Sequence, residues 1–325
     1  MRPVTIAATG GLGNQLFQLA AAMAVADATG RGIEVCTRMY DRPAARRAFL
    51  AARRWVRRMW TDADGRFRLD AMARGPELLA VQRAAPATDA RADRARGFTR
   101  VSLKRAFRDP AFTIEGACIL RTRVEVEAVI DGGDTIAAGD TPLISGFVQT
   151  DAFVAPRIGA LRAAVVLPRD TPYAARWIRT ARERPTVGVH VRRGDYAKPA
   201  YRDLFPIVPA AWYAQAGEML RARLGEVRFL VVTDDPGWVK ANLRLPGATD
   251  IASGEHPASP LEDLAVLAAC AHHVIANSTF GWWGARLSTS GGQVVAPTCW
   301  LLKETPDPDL LPTSWLRLEN PRTRD

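Results

Sequence analysis

The chain has 325 residues, 48% of them hydrophobic and 24% charged, and a formal net charge of +10. That balance is ordinary for a soluble globular protein of about two domains. No apolar run approaches the roughly 20 residues that span a bilayer, so no transmembrane helix is expected. A basic chain suits nucleic acid, an anionic membrane surface or a phosphorylated substrate, and charge alone does not choose among them.

The start, Met1-Arg2-Pro3-Val4-Thr5-Ile6, runs straight into a strand. It has neither the long apolar segment nor the cleavage site of a signal peptide, which makes a cytoplasmic location the expectation. Cys36, Cys118, Cys270 and Cys299 lie far apart without paired spacing, so neither a disulfide framework nor a zinc site is expected. Residues 4–8 read as a strand, residues 9–13 as a glycine loop, and residues 14–29 as a helix with Leu16, Leu19, Ala20, Met23 and Ala26 on its apolar face. Ile33-Glu34-Val35-Cys36 is the next strand and completes a βαβ unit. A glycine loop feeding a helix N-terminus lets backbone N–H groups approach a phosphate. The dinucleotide fingerprint fails, because Gly11 and Gly13 are followed by Leu16 where a third glycine belongs. Glu34 lies at a ribose-binding distance and keeps an oxidoreductase reading open. Asn14 and Gln15 either face a ligand or serve as helix cap and solvated side chain.

Residues 38–140 are the least legible. Residues 38–74 hold helical patches such as 49–59, with arginines in every turn, and residues 84–95 read as an exposed polar connection. Residues 91–108 form a basic run carrying Phe98 and Phe107, a pattern that admits nucleic-acid stacking. A solvated or acceptor-side surface is the preferred reading, since the signatures of the common RNA-binding modules are missing. Residues 143–150 read as a strand leading into a loop, residues 155–165 as a helix, and residues 168–172 as a linker, with a domain boundary near residue 170.

The second half alternates strands and helices and implies a parallel sheet covered on both faces. Val187 to Val191 form a buried strand that delivers His190, Arg192, Arg193 and Asp195 to one loop. Residues 209–224 read as a helix, and residues 227–233 as a strand ending in Asp234-Asp235, with a short helix through residue 239. Residues 260–271 read as a helix and residues 273–276 as a strand ending in Asn277-Ser278-Thr279. A helix over 280–287 and a last strand over 293–296 precede a Pro/Trp-rich tail. Three polar motifs therefore sit at three strand carboxyl ends, where ligands bind in open α/β sheets. Adjacent guanidiniums offer forked donors to phosphate oxygens, although ion pairing with Asp195 alone accounts for them equally well. Asp234-Asp235 admits a helix cap or a metal pair, and Asn277-Ser278-Thr279 admits an N-cap.

Taken together, Gly10-Gly11-Leu12-Gly13-Asn14-Gln15-Leu16-Phe17-Gln18, His190-Val191-Arg192-Arg193-Gly194-Asp195-Tyr196, Thr233-Asp234-Asp235 and Asn277-Ser278-Thr279-Phe280-Gly281-Trp282-Trp283-Gly284-Ala285 resemble the bacterial α-1,2-fucosyltransferases of glycosyltransferase family 11. Ser145-Gly146-Phe147-Val148-Gln149 and Val295-Ala296-Pro297 match weaker family stretches. The resemblance implies an α/β fold of GT-B type, two Rossmann-like domains facing across a cleft. Residues 1–170 would be the acceptor-side domain and residues 171–325 the GDP-fucose-binding domain. It implies inverting, metal-independent transfer of L-fucose from GDP-fucose to the 2-hydroxyl of a terminal β-galactoside, with GDP-fucose as donor substrate and no cofactor; the sequence does not give the pathway, for which surface polysaccharide synthesis is the expectation. By the same resemblance Arg192 contacts the β-phosphate, His190 lies near guanine or ribose, Asp234 or Asp235 binds guanine, and Ser278 and Thr279 hold phosphate. Gly11, Gly13, Asn14, Gln15, Arg193 and Asn277 complete the expected donor contacts, and Asp195 is either the general base or an orienter of an arginine. Trp282 and Trp283 are expected to pack in the core rather than stack on sugar. Partners are then GDP-fucose and a galactose-terminated glycan, not nucleic acid, with peripheral membrane association left open. The alternatives are a transferase of another GDP-sugar and a basic nucleic-acid-binding protein. Thr233 and Gly281 stand where serine is common in the family, departures that read as minor.

Overall fold

The computed structural model describes residues 1–36, 96–132, 136–198, 201, 203–253, 260–303 and 305–322. The readings of residues 38–74 and 84–95 lie outside the described residues. The chain divides into two compact units, Met1–Val166 and Leu167–Asp325. Among the described residues no helix is long and apolar enough to cross a membrane.

The first unit holds four parallel strands, β1 (Val4–Ala7), β2 (Ile33–Cys36), β3 (Ala117–Leu120) and β4 (Thr141–Ile144), in the order β2-β1-β4-β3. Every residue of β1, β2 and β4 is buried, as expected of strands covered on both faces. Helix α1 (Leu12–Thr29) follows β1. It starts earlier than the sequence suggests: Leu12 and Gly13 are already helical, and the glycine loop ends at Gly11, which caps the helix without a side chain. Gly30 closes it in the left-handed region at φ 64°. Glu34 is buried, accepting from Thr5 Oγ1 at 2.6 Å and from Arg96 Nη1 at 2.6 Å. Its carboxylate is spent inside the unit, so the ribose contact behind the oxidoreductase reading is not on offer.

In the first unit, three elements escaped the sequence reading. Helix α2 (Arg100–Arg108) is capped by Thr99, whose hydroxyl accepts from Ser102 N at 3.1 Å. Strand β3 comes next, and α3 (Arg123–Ile130) carries a Thr122/Glu125 capping box. Within the basic run, Phe98, Leu103 and Ala106 belong to a core cluster with Ala7, Cys36, Ile114 and Leu143. Phe98 is therefore a core residue, not a platform for a base. Strand β4 stops at Ile144, so residues 145–150 are loop and not the strand expected. The helix expected over 155–165 is broken into α4 (Asp151–Val154), a 3₁₀ turn (Ala155–Arg157) and α5 (Ile158–Ala164), because Pro156 cannot continue a helix.

The second unit opens on α6 (Pro172–Arg182), a helix that starts where the expected 168–172 linker ends and that the sequence reading did not assign. Thr171 accepts from Ala174 N at 3.2 Å and Pro172 takes the first helical position. Then come β5 (Thr186–Val191), α7 (Ala210–Leu224), β6 (Arg228–Thr233), α8 (Pro236–Asn242), β7 (Thr249–Ile251), α9 (Pro260–Ala269), β8 (His272–Ile275), α10 (Thr279–Leu287), β9 (Val294–Pro297) and β10 (Leu316–Leu318). All strand pairs are parallel, in the order β10-β9-β8-β5-β6-β7. Counted from β5 within the unit, that is 6-5-4-1-2-3, the Rossmann arrangement. The order reverses between β5 and β8. Val187, Val189, Val191, Trp212, Tyr213, Phe229, Val231, Val274 and Val295 form the core of this unit. The edge strands β7 and β10 have three residues each and are partly exposed, which leaves no apolar alternation to read.

Candidate functional site

The strands carrying the three polar motifs, β8, β5 and β6, are neighbours in the sheet, although β7 and α9 lie between β6 and β8 in the chain. Their carboxyl ends are tied together by hydrogen bonds. Ala276 N donates to the His190 carbonyl at 3.1 Å, the Tyr196 hydroxyl to the Asn277 carbonyl at 3.0 Å, and Arg193 N to Asp234 Oδ1 at 2.9 Å. The residues expected from the second half of the sequence thus converge at the switch point of the sheet.

His190 is the next-to-last residue of β5 and only 3% exposed. Burial lowers its pKa to about 3, with the nearby Arg192 charge lowering it further and Asp234 opposing. The imidazole is therefore neutral at ordinary pH. Its Nδ1 is buried and makes no hydrogen bond within the described residues. The ring lies 5.3 Å from that of Phe280 and packs directly on Gly281. A Cβ at Gly281 would come within 2.6 Å of His190 Nδ1 and 2.9 Å of its Cγ. The glycine that read as a minor departure is what lets the imidazole sit against the first turn of α10. Gly281→Ala is expected to displace the ring and cost about 1–3 kcal/mol by overpacking. A lower melting temperature with an unchanged far-UV circular dichroism spectrum would show it; an unaltered melt would mean the ring has room to yield.

Arg192 pairs with Asp234 at 2.9 Å and with Asp195 at 3.3 Å. Asp195 also holds Lys198 at 2.6 Å, and its side chain is half exposed. Gly194 permits the approach of the loops, since a Cβ there would lie 2.5 Å from Asp234 Oδ2. The Arg193 guanidinium lies 3.9 Å over the Trp238 ring and 3.6 Å from Asp235 Oδ2. Asp235 caps α8 through Trp238 N at 3.0 Å, and its own N–H donates to Thr233 Oγ1 at 3.0 Å. Ser253 Oγ in turn accepts from Thr233 N at 2.9 Å. The two aspartates thus act first as anchors for the arginine loop and for α8, not as two unengaged carboxylates.

Asn277 is buried, and its amide donates to the carbonyls of Pro206 and Trp300, both at 3.1 Å. Ser278 caps α10, accepting from Phe280 N at 3.3 Å, while Thr279 is half-buried in the first helical turn. Asn277 thus shapes the loop that leads into α10. Tyr196 stacks on Phe205 at 4.1 Å and lies 5.5 Å beneath the Arg192 guanidinium. Trp282 and Trp283 are both 0% exposed, as expected of packing residues.

Gly11, Gly13, Asn14 and Gln15 lie in the first unit, where the loops after β1 and β4 meet at the reversal of its strand order. Gln15 is buried, not solvated, and donates to the Gly10 carbonyl at 3.1 Å. Gln149 Nε2 donates to Asn14 Oδ1 at 2.9 Å, so Asn14 is no helix cap. Tyr196, Trp238 and Ser253 were missed as positioning groups. The tyrosine could have been found from its place in the motif; Ser253 carries no local signal.

Residues 176–309 match the family model described as Glycosyl transferase family 11. Among curated proteins, the chain is 31% identical over 139 residues to an Alpha-1,2-colitosyltransferase of Escherichia coli, covering 41% of this chain and 48% of that protein. It is 36% identical over 117 residues to Galactoside alpha-(1,2)-fucosyltransferase 1 of Saimiri sciureus, covering 35% of this chain and 31% of that protein. The matches thus span 31% to 48% of the length of these relatives. Among solved structures, a mutant of Arabidopsis thaliana FUT1 in complex with GDP is similar with a TM-score of 0.53, at 13% identity, over 95% of this chain and 72% of that one. That likeness speaks for the fold alone, which is α/β of GT-B type with parallel sheets. The half of the chain that carries the arginine loop, the aspartate pair and the start of α10 thereby resembles glycosyl transferase family 11.

Proposed function

We propose that the chain is a glycosyltransferase that moves L-fucose from GDP-fucose to the 2-hydroxyl of a terminal β-galactoside, with inversion and without a metal. The observation that carries the reading is the meeting of Arg192, neutral His190 and the start of α10 at the β5/β8 switch point. In the reaction the bond between the anomeric carbon and the β-phosphate oxygen breaks, and its electron pair stays on GDP. The acceptor oxygen bonds to that carbon from the opposite face, and its proton leaves to a base. Charge develops on the departing phosphate, where a fixed guanidinium and oriented N–H groups stabilise it most. Arg192, already aimed by Asp234 and Asp195, supplies the first, and α10 the second. Arg193 stacked on Trp238 walls the same site and adds positive charge. Asp195 is the carboxylate that the motif brings nearest, either as base or as orienter.

The printed names of the relatives, two transferases making α-1,2 linkages, support this activity class. They also favour a second reading of the donor, since one of the two transfers colitose.

The test is the melting temperature with GDP, GDP-fucose, GDP-mannose or NADH, each with and without EDTA. A ligand bound only by the folded state must raise stability. GDP and GDP-fucose are expected to raise the melting temperature in either buffer. No shift with GDP, or a shift with NADH alone, would overturn the donor assignment, and loss of the shift in EDTA would overturn the metal-free part.

A further inference from the structure

In the first unit, β1 and β4 lie side by side, and the loops that follow them are pressed together. Gly10 has φ 75°, and a Cβ there would come 2.7 Å from Asn14 Nδ2 and 2.8 Å from Phe147 Cε1. A side chain at Gly146 would overlap the Arg121 carbonyl, which fixes where the second loop begins. Beneath both loops Gln18, itself buried, accepts from Thr9 N at 3.3 Å and donates to the Gly146 carbonyl at 3.1 Å. The Phe147 ring is therefore braced: by Gly10 on one side and by Phe107, edge-on at 4.9 Å and 72°, on another. Yet it is 40% exposed.

A single exposed phenylalanine is unremarkable on most surfaces. This one is held rigid by a buried amide and two glycines, at the end of a sheet where ligands bind, beside a polar pair. The bond from Gln149 Nε2 to Asn14 Oδ1 leaves the Asn14 amide NH₂ and the Gln149 carbonyl as one donor and one acceptor. A vicinal diol, whose hydroxyls donate and accept at once, fits that pair. Among the described residues, the neighbouring Arg121 is engaged elsewhere, donating to the carbonyls of Ala106 and Phe112. The combination of an apolar plane and neutral amides calls for a neutral ligand, not a phosphate. One face of a galactopyranoside presents the C–H groups of C3, C4 and C5, an apolar patch that packs on an aromatic ring.

We propose that Phe147 is the platform for the galactoside acceptor, with Asn14 and Gln149 reading its hydroxyls. The proposal rests on the transfer reading above for the identity of the sugar, and it moves Asn14 from the donor to the acceptor.

Phe147→Ala in the full chain is expected to raise the acceptor KM at least tenfold while the calorimetric Kd for GDP stays at the wild-type value. Phe147→Trp is expected to restore much of the acceptor KM, which a merely structural defect would not allow. An unchanged acceptor KM, or a GDP Kd that weakens in parallel, overturns the proposal. If the wild-type protein binds no GDP, the transfer reading has failed and saturation-transfer NMR with lactose decides the platform separately. Lactose signal in the wild type that vanishes in Phe147→Ala supports it; signal in both, or in neither, overturns it.

Discussion

Arg192→Ala is expected to lower kcat for transfer about 10²–10³-fold, the scale set by removing one preorganised donor from a developing anion. Two effects of the change have the same sign. The departing phosphate loses the forked guanidinium that Asp234 and Asp195 hold at 2.9 and 3.3 Å. Those carboxylates, with Asp235, then face a bound diphosphate with Arg193 and Lys198 to offset them among the described residues, so GDP affinity falls as well. Arg192→Lys keeps the charge and loses the fork, and should fall between the two. Single-turnover rates and calorimetric GDP binding check this, with a thermal melt to show that the fold persists. A kcat within threefold of wild type would sink the assignment of Arg192 to the departing group.

Trp282→Ala should destabilise the second unit by about 3–5 kcal/mol, a large aromatic-to-alanine change in a closed core. The indole is 0% exposed, lies 5.1 Å from Trp283 and 5.7 Å from Trp315, and donates from Nε1 to the Leu310 carbonyl at 2.7 Å. Its loss opens a cavity and strands a carbonyl that no water replaces at once. Against a typical stability of about 5–15 kcal/mol, that is enough to bring unfolding near working temperatures. Trp282→Phe keeps much of the packing and strands only the carbonyl, so its loss should be smaller. Urea midpoints decide the matter. An unchanged midpoint with a raised acceptor KM would mean that the indole contacts sugar and the packing role is wrong.

Legibility in the sequence followed burial. The central strands of the second unit are largely apolar runs, so β5, β6 and β8 could be placed to within a residue or so, and with them His190 and the loops bearing Asp234 and Ser278. Sheet order is not a local property. Nothing near His190 announces that its neighbour is Ile275 of β8, 85 residues on, and not only β6. The individual roles were harder still. Asp234 and Asp235 look alike in sequence; the fold gives one to the arginine loop and the other to the cap of α8. Gly281 looked dispensable because its constraint comes from an imidazole on another strand. In the first half, α2 hid in a basic run because only Leu103 and Ala106 of its nine residues are buried. Short edge strands such as β10 carry too little pattern to read.

The adjacency of β5 and β8 also constrains how the second unit can assemble. Until β8 arrives, β5 is an edge, and its all-buried run Thr186–Val191 is a bare template for pairing with another chain. The bonds that draw the two loops together, such as that from Tyr196 to Asn277 across 81 positions, pay for long loop closure before they return anything. Contacts of such separation form late and slow folding. The same seam is the proposed binding crevice, so on that reading a folding intermediate lacking β8 has no site, and added nucleotide should slow unfolding without speeding the collapse that precedes it.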